Sequence, residues 1–206
     1  MEPFTRHSGI AALLPQSNVD TDLIVPARFL LRSRKDGFAD ALFSDLRSGD
    51  GENQDPSFVL NRPPFDKTSI LIAGDNFGCG SSREHAVWAL LDFGIRVVIA
   101  PCFADIIHNN AFQNGLLVFS MPADDIKLLA QAVESSPASE IAVDLQEQTI
   151  GCGELSLAFQ IDPYRKESLL LGLSETKNTL RNLPTIETFE AKRLRERPWL
   201  AVAHRG

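Results

Sequence analysis

The stretch GDNFGCGSSREHAVWALLDFG, Gly74 to Gly94, decides the fold. The apolar run Ser69-Ile70-Leu71-Ile72-Ala73 leads into it and reads as a buried strand. Three glycines follow, Gly74, Gly78 and Gly80, and then Ala86, Val87, Leu90 and Leu91 recur at helical spacing. Strand, glycine loop and helix together aim free backbone N–H groups and a partial positive charge at one point, which suits an anion. Ser81, Ser82 and Arg83 stand at that point.

The chain alternates on the C-terminal side of this stretch. Arg96–Ala100 reads as a strand, Phe103–Phe112 as a helix stopped by Gly115, and Leu116–Ser120 as a strand. Asp124–Glu134 reads as a helix with acidic residues in its first turn. Residues 69–134 therefore read β-α-β-α-β-α, which predicts a parallel sheet with helical crossovers. Glu140–Ile150 and Glu154–Ile161 read as two strands joined at Gly151-Cys152-Gly153. Asp162-Pro163 starts a helix that runs to Gly172, and a last helix is expected over Thr185–Arg197. Its basic end, Lys192-Arg193-Leu194-Arg195-Glu196-Arg197, is either a solvated face or a docking tail.

On the N-terminal side, Ser8–Leu14 reads as a short strand closed by Pro15. Asn18, Asp20 and Asp22 have the alternation of a calcium loop. Leu23 stands where that loop needs glycine, however, so an Asx-stabilised turn is the expectation. Asp45–Pro56 is polar and rich in turn formers and is read as an exposed loop. Pro63-Pro64 excludes a central strand near Phe58–Phe65.

The 206 residues suffice for one sizeable core, and 44% hydrophobic with 23% charged residues is ordinary for a globular chain. A net charge of −7 argues against nucleic acid as a partner. No apolar stretch is long enough to span a bilayer, so no membrane partner is expected. Met1–Ile10 lacks a secretory signal pattern, and three cysteines without framework spacing fit a reducing compartment, so a cytoplasmic location is expected.

The central stretch fails several known chemistries. Arg83 replaces the third glycine of a dinucleotide fingerprint, no Walker lysine follows, and G-x-S-x-G is absent. Ser81 and Glu84 fit a capping box, a structural role for Ser81. That role leaves Arg83 unexplained, since a cation in a first helical turn opposes the dipole unless an anion is shared there. A guanidinium grips a carboxylate through two parallel hydrogen bonds. The alternative for Arg83 is an ion pair with Glu84 or another surface acid. The residues thus describe a pocket for a small carboxylate beside a serine hydroxyl.

GDNFGCGSSREHAVWAL resembles the glycine-serine-serine-arginine-glutamate signature of the swivelling domain of the aconitase superfamily. Asn18–Leu30 (NVDTDLIVPARFL) is similar to the opening signature of that domain. Phe103–Ile106, Asn109-Asn110 and Asn114–Leu117 are similar to its third. In length and ending the chain resembles the small subunits of the bacterial isopropylmalate dehydratases. The resemblance implies an α/β fold: a swivelling β/β/α domain over 1–172, with a parallel-sheet core and a later hairpin. A C-terminal helical extension over 173–206 would pack on that domain or on the partner.

The resemblance further implies a hydro-lyase of leucine biosynthesis that is active only as a heterodimer. The large subunit would carry a four-iron four-sulfur cluster, held by three cysteines with one iron open to substrate. No cofactor or metal is expected on this chain, and Cys79 is not read as a cluster ligand. The signature carries the general base onto Ser81 and the carboxylate-binding arginine onto Arg83, with Ser82 beside it. Substrate choice falls to the segment after the opening signature, where Leu30, Leu31 and Arg32 are candidates, with Arg28 and Arg34 nearby. For those residues a core or solvated role stands equally open. Small subunits of methylmalate (citraconate), dimethylmalate and homoaconitate hydro-lyases share this pattern, and a carboxylate-binding module without chemistry is the alternative from another class.

Overall fold

The computed structural model describes residues 1–48, 55–81, 83–137 and 139–200. The strands are β1 (Arg6–Leu14), β2 (Ile70–Ala73), β3 (Val97–Ala100), β4 (Leu117–Ser120), β5 (Glu140–Asp144), β6 (Thr149–Cys152) and β7 (Leu155–Ala158). The helices are α1 (Thr21–Ile24), α2 (Ser44–Ser48), α3 (Glu84–Phe93), α4 (Asp105–Asn114), α5 (Ala123–Ser135), α6 (Pro163–Leu171), α7 (Glu175–Leu180) and α8 (Leu183–Glu196).

The strands form one sheet in the order β4-β3-β2-β1-β5-β6-β7. Its two halves differ in sense. β1, β2, β3 and β4 are parallel, whereas β5, β6 and β7 continue antiparallel. The long β1 serves both halves: Arg6–Ile10 pair with β5, and Ala11–Leu14 pair with β2.

The parallel strands are buried on both faces, which explains their continuous apolar runs. Leu71, Ala73, Val98, Ala100 and Val118 join one core with Ala86, Val87 and Leu90 of α3 and Ile107 and Ala111 of α4. Ile70, Ile72, Val97, Ile99, Leu117 and Phe119 join the other, with Leu129 and Val133 of α5. The Phe119 and Phe159 rings stack across this second core, their centroids 3.8 Å apart.

The β-α-β-α-β-α reading of 69–134 holds, and Gly115 ends α4 in the left-handed conformation, φ +80°. One expectation fails. The single strand predicted over Glu140–Ile150 is two strands, β5 and β6, separated by a tight turn. The Asp144 carboxylate accepts the Glu147 N–H at 2.9 Å, and Gln148 is left-handed at φ +55°. The turn escapes notice because apolar alternation runs on through Ile141, Val143 and Leu145, all buried, and resumes at Ile150. The last helix begins at Leu183 rather than Thr185, and α7 precedes it. The middle of the polar Asp45–Pro56 segment, 49–54, lies outside the described residues.

His7 on β1 is half-buried, and its Nε2 lies 2.8 Å from Ser69 Oγ. Burial, reinforced by the charge of Arg96, holds its pKa below the ordinary 6.5. In the window below 6.5 the unfolded chain therefore binds a proton that the folded chain does not, and stability falls as pH falls. The His7→Gln variant should lose that part of the pH dependence, read by urea unfolding on either side of pH 6.5.

Candidate active site

Three distant segments meet at the carboxyl ends of β1, β2 and β3, the end of an open α/β sheet where ligands bind. The glycine loop, 74–81, lies in the middle. On one side runs the opening segment. Asn18 N–H donates to the Asp75 carbonyl at 2.8 Å, Gly78 N–H to Val19 at 2.7 Å, and Thr21 N–H to Cys79 at 3.0 Å. The buried Thr21 hydroxyl donates to the Ser81 carbonyl at 2.9 Å, and Asn76 Nδ2 donates to Asn18 Oδ1 at 2.8 Å. On the other side, Phe77 N–H donates to Cys102 at 3.3 Å and Ala104 N–H to Phe77 at 3.1 Å.

The glycines answer to specific contacts. A Cβ on Gly74 would lie 2.4–2.6 Å from the backbone of Pro15 and Gln16. At Gly78 it would meet Ile107 of α4 at 2.6 Å, on a backbone with φ +75°. The third segment is tied to the second through Asn114. Its amide accepts the Trp88 indole N–H at 3.1 Å and donates to Glu84 at 2.8 Å, joining the end of α4 to the start of α3.

Glu84 is thus the first residue of α3 and is bound to Asn114, and Arg83 is the N-cap residue with no side-chain cap. The capping box expected of Ser81 and Glu84 does not form. Thr21 and the loop glycines hold Ser81 too far upstream to serve as a cap. Ser81 is exposed at the mouth of the loop, and its hydroxyl makes no hydrogen bond to a described residue. Ser82 lies outside the described residues.

Arg83 does not lie within the first turn, so its charge is not set against the helix dipole there. Its guanidinium reaches back to the opening segment, where Nη1 and Nη2 grip the two oxygens of Asp22, with Nη2–Oδ2 at 2.8 Å. The anion at this point is therefore an acid of the same chain. Hydrogen bonding to Arg83 holds the Asp22 carboxyl below the ordinary carboxylate range. Asp20 plays a different part and caps α1 by accepting the Leu23 N–H at 2.7 Å. The turn reading of 18–22 is right for Asp20, but sequence reasoning missed the partnership of Asp22 with Arg83. The alternation Asn-x-Asp-x-Asp was the available signal, and nothing in it says that the last acid reaches a residue 61 positions away.

The other candidates are more scattered. Leu31 is 99% exposed and Leu30 half-buried, so neither belongs to the core. Arg32 is held by Asp40, its Nη2 2.9 Å from Oδ2. Arg28 pairs with Asp45 and Arg34 with Asp92. Each of these arginines already has an acid, a balance that counting cations in one segment cannot reveal.

Among the described residues no three His, Cys, Asp or Glu side chains gather as a metal-binding group. The cysteines are free. Cys102 donates to Asp75 at 3.0 Å and accepts from the Asn76 N–H at 3.3 Å, so it buttresses the loop. The bond to Asp75 raises its thiol pKa, which keeps it protonated. No described helix is long and apolar enough to cross a membrane.

The model of the aconitase C-terminal domain matches residues 1–124, the span that contains all three segments. The fold and the loop thus define a swivelling domain of the aconitase superfamily. A 3-isopropylmalate dehydratase small subunit from Jannaschia sp. is 47% identical over 97% of this chain and 100% of its own. One from Acidothermus cellulolyticus is 50% identical over 94% and 95%. The crystal structure of a 3-isopropylmalate dehydratase from Methanocaldococcus jannaschii superposes with a TM-score of 0.65 at 26% identity, covering 89% of this chain and 99% of the other. Residues 178–203 match the model of the C-terminal domain of 3-isopropylmalate dehydratase small subunits. The chain belongs to the family of 3-isopropylmalate dehydratase small subunits.

Gly78→Ala tests the loop. The left-handed backbone alone costs about 1–2 kcal/mol with a Cβ, and the clash with Ile107 adds to it. Chemical denaturation should show a loss larger than that figure.

Proposed function

We propose that this chain is the small subunit of a 3-isopropylmalate dehydratase. It would interconvert 2- and 3-isopropylmalate by loss and return of water in leucine biosynthesis, together with a large subunit. The observation that carries the reading is the union of three distant segments around a loop that offers an exposed Ser81 beside Arg83.

In this reading Ser81 is the general base for the proton on carbon, and Arg83, with Ser82 beside it, binds a substrate carboxylate. A serine hydroxyl is a weak base, so its alkoxide needs stabilisation. The amides of the glycine loop, the N-terminus of α3 and the charge of Arg83 supply it in a site from which a partner excludes water. One such donor is worth about 3–4 kcal/mol of barrier, so several act together.

In this reading a four-iron four-sulfur cluster would be held by the large subunit, and the chemistry it would supply is Lewis-acid help to the departing hydroxyl. The cysteines of this chain do not gather as a ligand set: Cys79 lies in the glycine loop, Cys102 is engaged with Asp75, and Cys152 lies on β6, in the antiparallel half of the sheet. The partner also accounts for the end of the extension beyond residue 172; its first helix, α7, is tied to α6 of this domain, with Asn178 Nδ2 donating to the Ser168 hydroxyl at 2.8 Å and Arg181 Nη1 to Glu167 at 3.0 Å. No residue of α8 is buried, and Leu183, Phe189, Leu194 and Trp199 stand exposed, which favours packing on the large subunit over packing on this domain. The location expected is cytoplasmic. For substrate choice, a fully exposed Leu31 beside the opening segment favours contact with the isopropyl branch.

The isolated chain should fold and show no turnover, with activity appearing on addition of the large subunit. In the reconstituted enzyme Ser81→Ala should lower kcat by about 10²–10⁴-fold with KM nearly kept. A KM change alone would favour a binding module. Leu31→Arg should lower kcat/KM for 3-isopropylmalate by about 10-fold or more, and unchanged selectivity would remove Leu31 from the site.

A further inference from the structure

Arg83 is largely covered, its side chain 13% exposed, while that of Asp22 is 57% exposed. The contact is end-on. Nη1 and Nη2 take the two Asp22 oxygens, and Nη1 also donates to the Val25 carbonyl at 3.3 Å. Three of the five guanidinium hydrogens are thus used. The remaining two, on Nε and on Nη2, form the side edge of the group and have no acceptor among the described residues. A side edge is itself a two-point site for a carboxylate.

Nothing local requires Asp22 to make this bond. Asp20 already caps α1, and Asp45 is taken by Arg28, so Asp22 alone of the three is turned across to the glycine loop. An arginine has many rotamers, and a bidentate clamp on one edge removes most of that freedom before any ligand arrives.

We propose that Asp22 is a positioning residue that clamps Arg83 by its end and so presents the side edge, Nε and Nη2, to a substrate carboxylate. The proposal rests on the reading of Arg83 as the carboxylate-binding residue. Asp22 does not touch the substrate. It lowers the cost of binding by fixing the group that does, so its removal acts on KM more than on kcat. An acid that merely competed for Arg83 would do the opposite, because its removal would tighten binding.

The test uses the enzyme reconstituted with its large subunit, with 3-isopropylmalate as substrate. Asp22→Ala is expected to raise KM about 10-fold with kcat changed less than about 3-fold, and Asp22→Asn, which keeps one acceptor, to fall between. In an Arg83→Lys background, where no bidentate clamp exists, Asp22→Ala should add little further. An unchanged or lowered KM in both Asp22 variants, with KM raised by Arg83→Lys, overturns the positioning role alone. A KM that Arg83→Lys leaves unchanged overturns the reading of Arg83 and the proposal with it. Lost activity that follows a lowered thermal midpoint at unchanged KM marks Asp22 as structural only and also overturns it.

Discussion

The site depends on the backbone bonds that lay the glycine loop alongside the opening segment. Val19 and Thr21 meet Gly78 and Cys79 through main-chain N–H and carbonyl groups, and the Thr21 hydroxyl closes the run on Ser81. Because these bonds are made by the main chain, they set where Ser81 emerges whatever its side chain does. They also require the loop to come close, which is why a Cβ at Gly74 would collide with the backbone leaving β1. The loop bridges the ends of two neighbouring parallel strands, so the register of β1 on β2 fixes the geometry of the mouth.

The same strands give the loop a footing on two buried clusters. Each parallel strand buries side chains on both faces, so the loop rests on two cores at once. Interiors packed to this density shift little, and a loop anchored in them holds a side chain in place better than one on a single hairpin. The antiparallel half of the sheet lies away from the mouth and joins the rest through β1. Its contribution is to cover the second core.

The arginines of the opening segment and of the loop are arranged in pairs with acids. Arg28, Arg32, Arg34 and Arg83 each face an aspartate of the same chain. The solvent-exposed pairs, such as Arg28 with Asp45, contribute little to stability. Their effect is on orientation. They keep long cationic side chains from wandering.

The sequence by itself determined the elements whose information is local. Continuous apolar runs, helix starts and the glycine stop at 115 mark strands and helices correctly over 69–134, and the three motifs identify the superfamily ahead of the fold. Local pattern failed where two answers share one pattern. The alternation through Leu145 hid the turn between β5 and β6, and Ser-x-x-Glu at 81–84 fits a capping box that Asn114 and Thr21 preclude. Only the tertiary structure decided which acid Arg83 holds. Asp22 and Arg83 are 61 residues apart, and what joins them is the parallel pairing of β1 with β2. A contact set by strand pairing leaves no trace in spacing along the chain, since the distance between two side chains there depends on register and not on sequence separation.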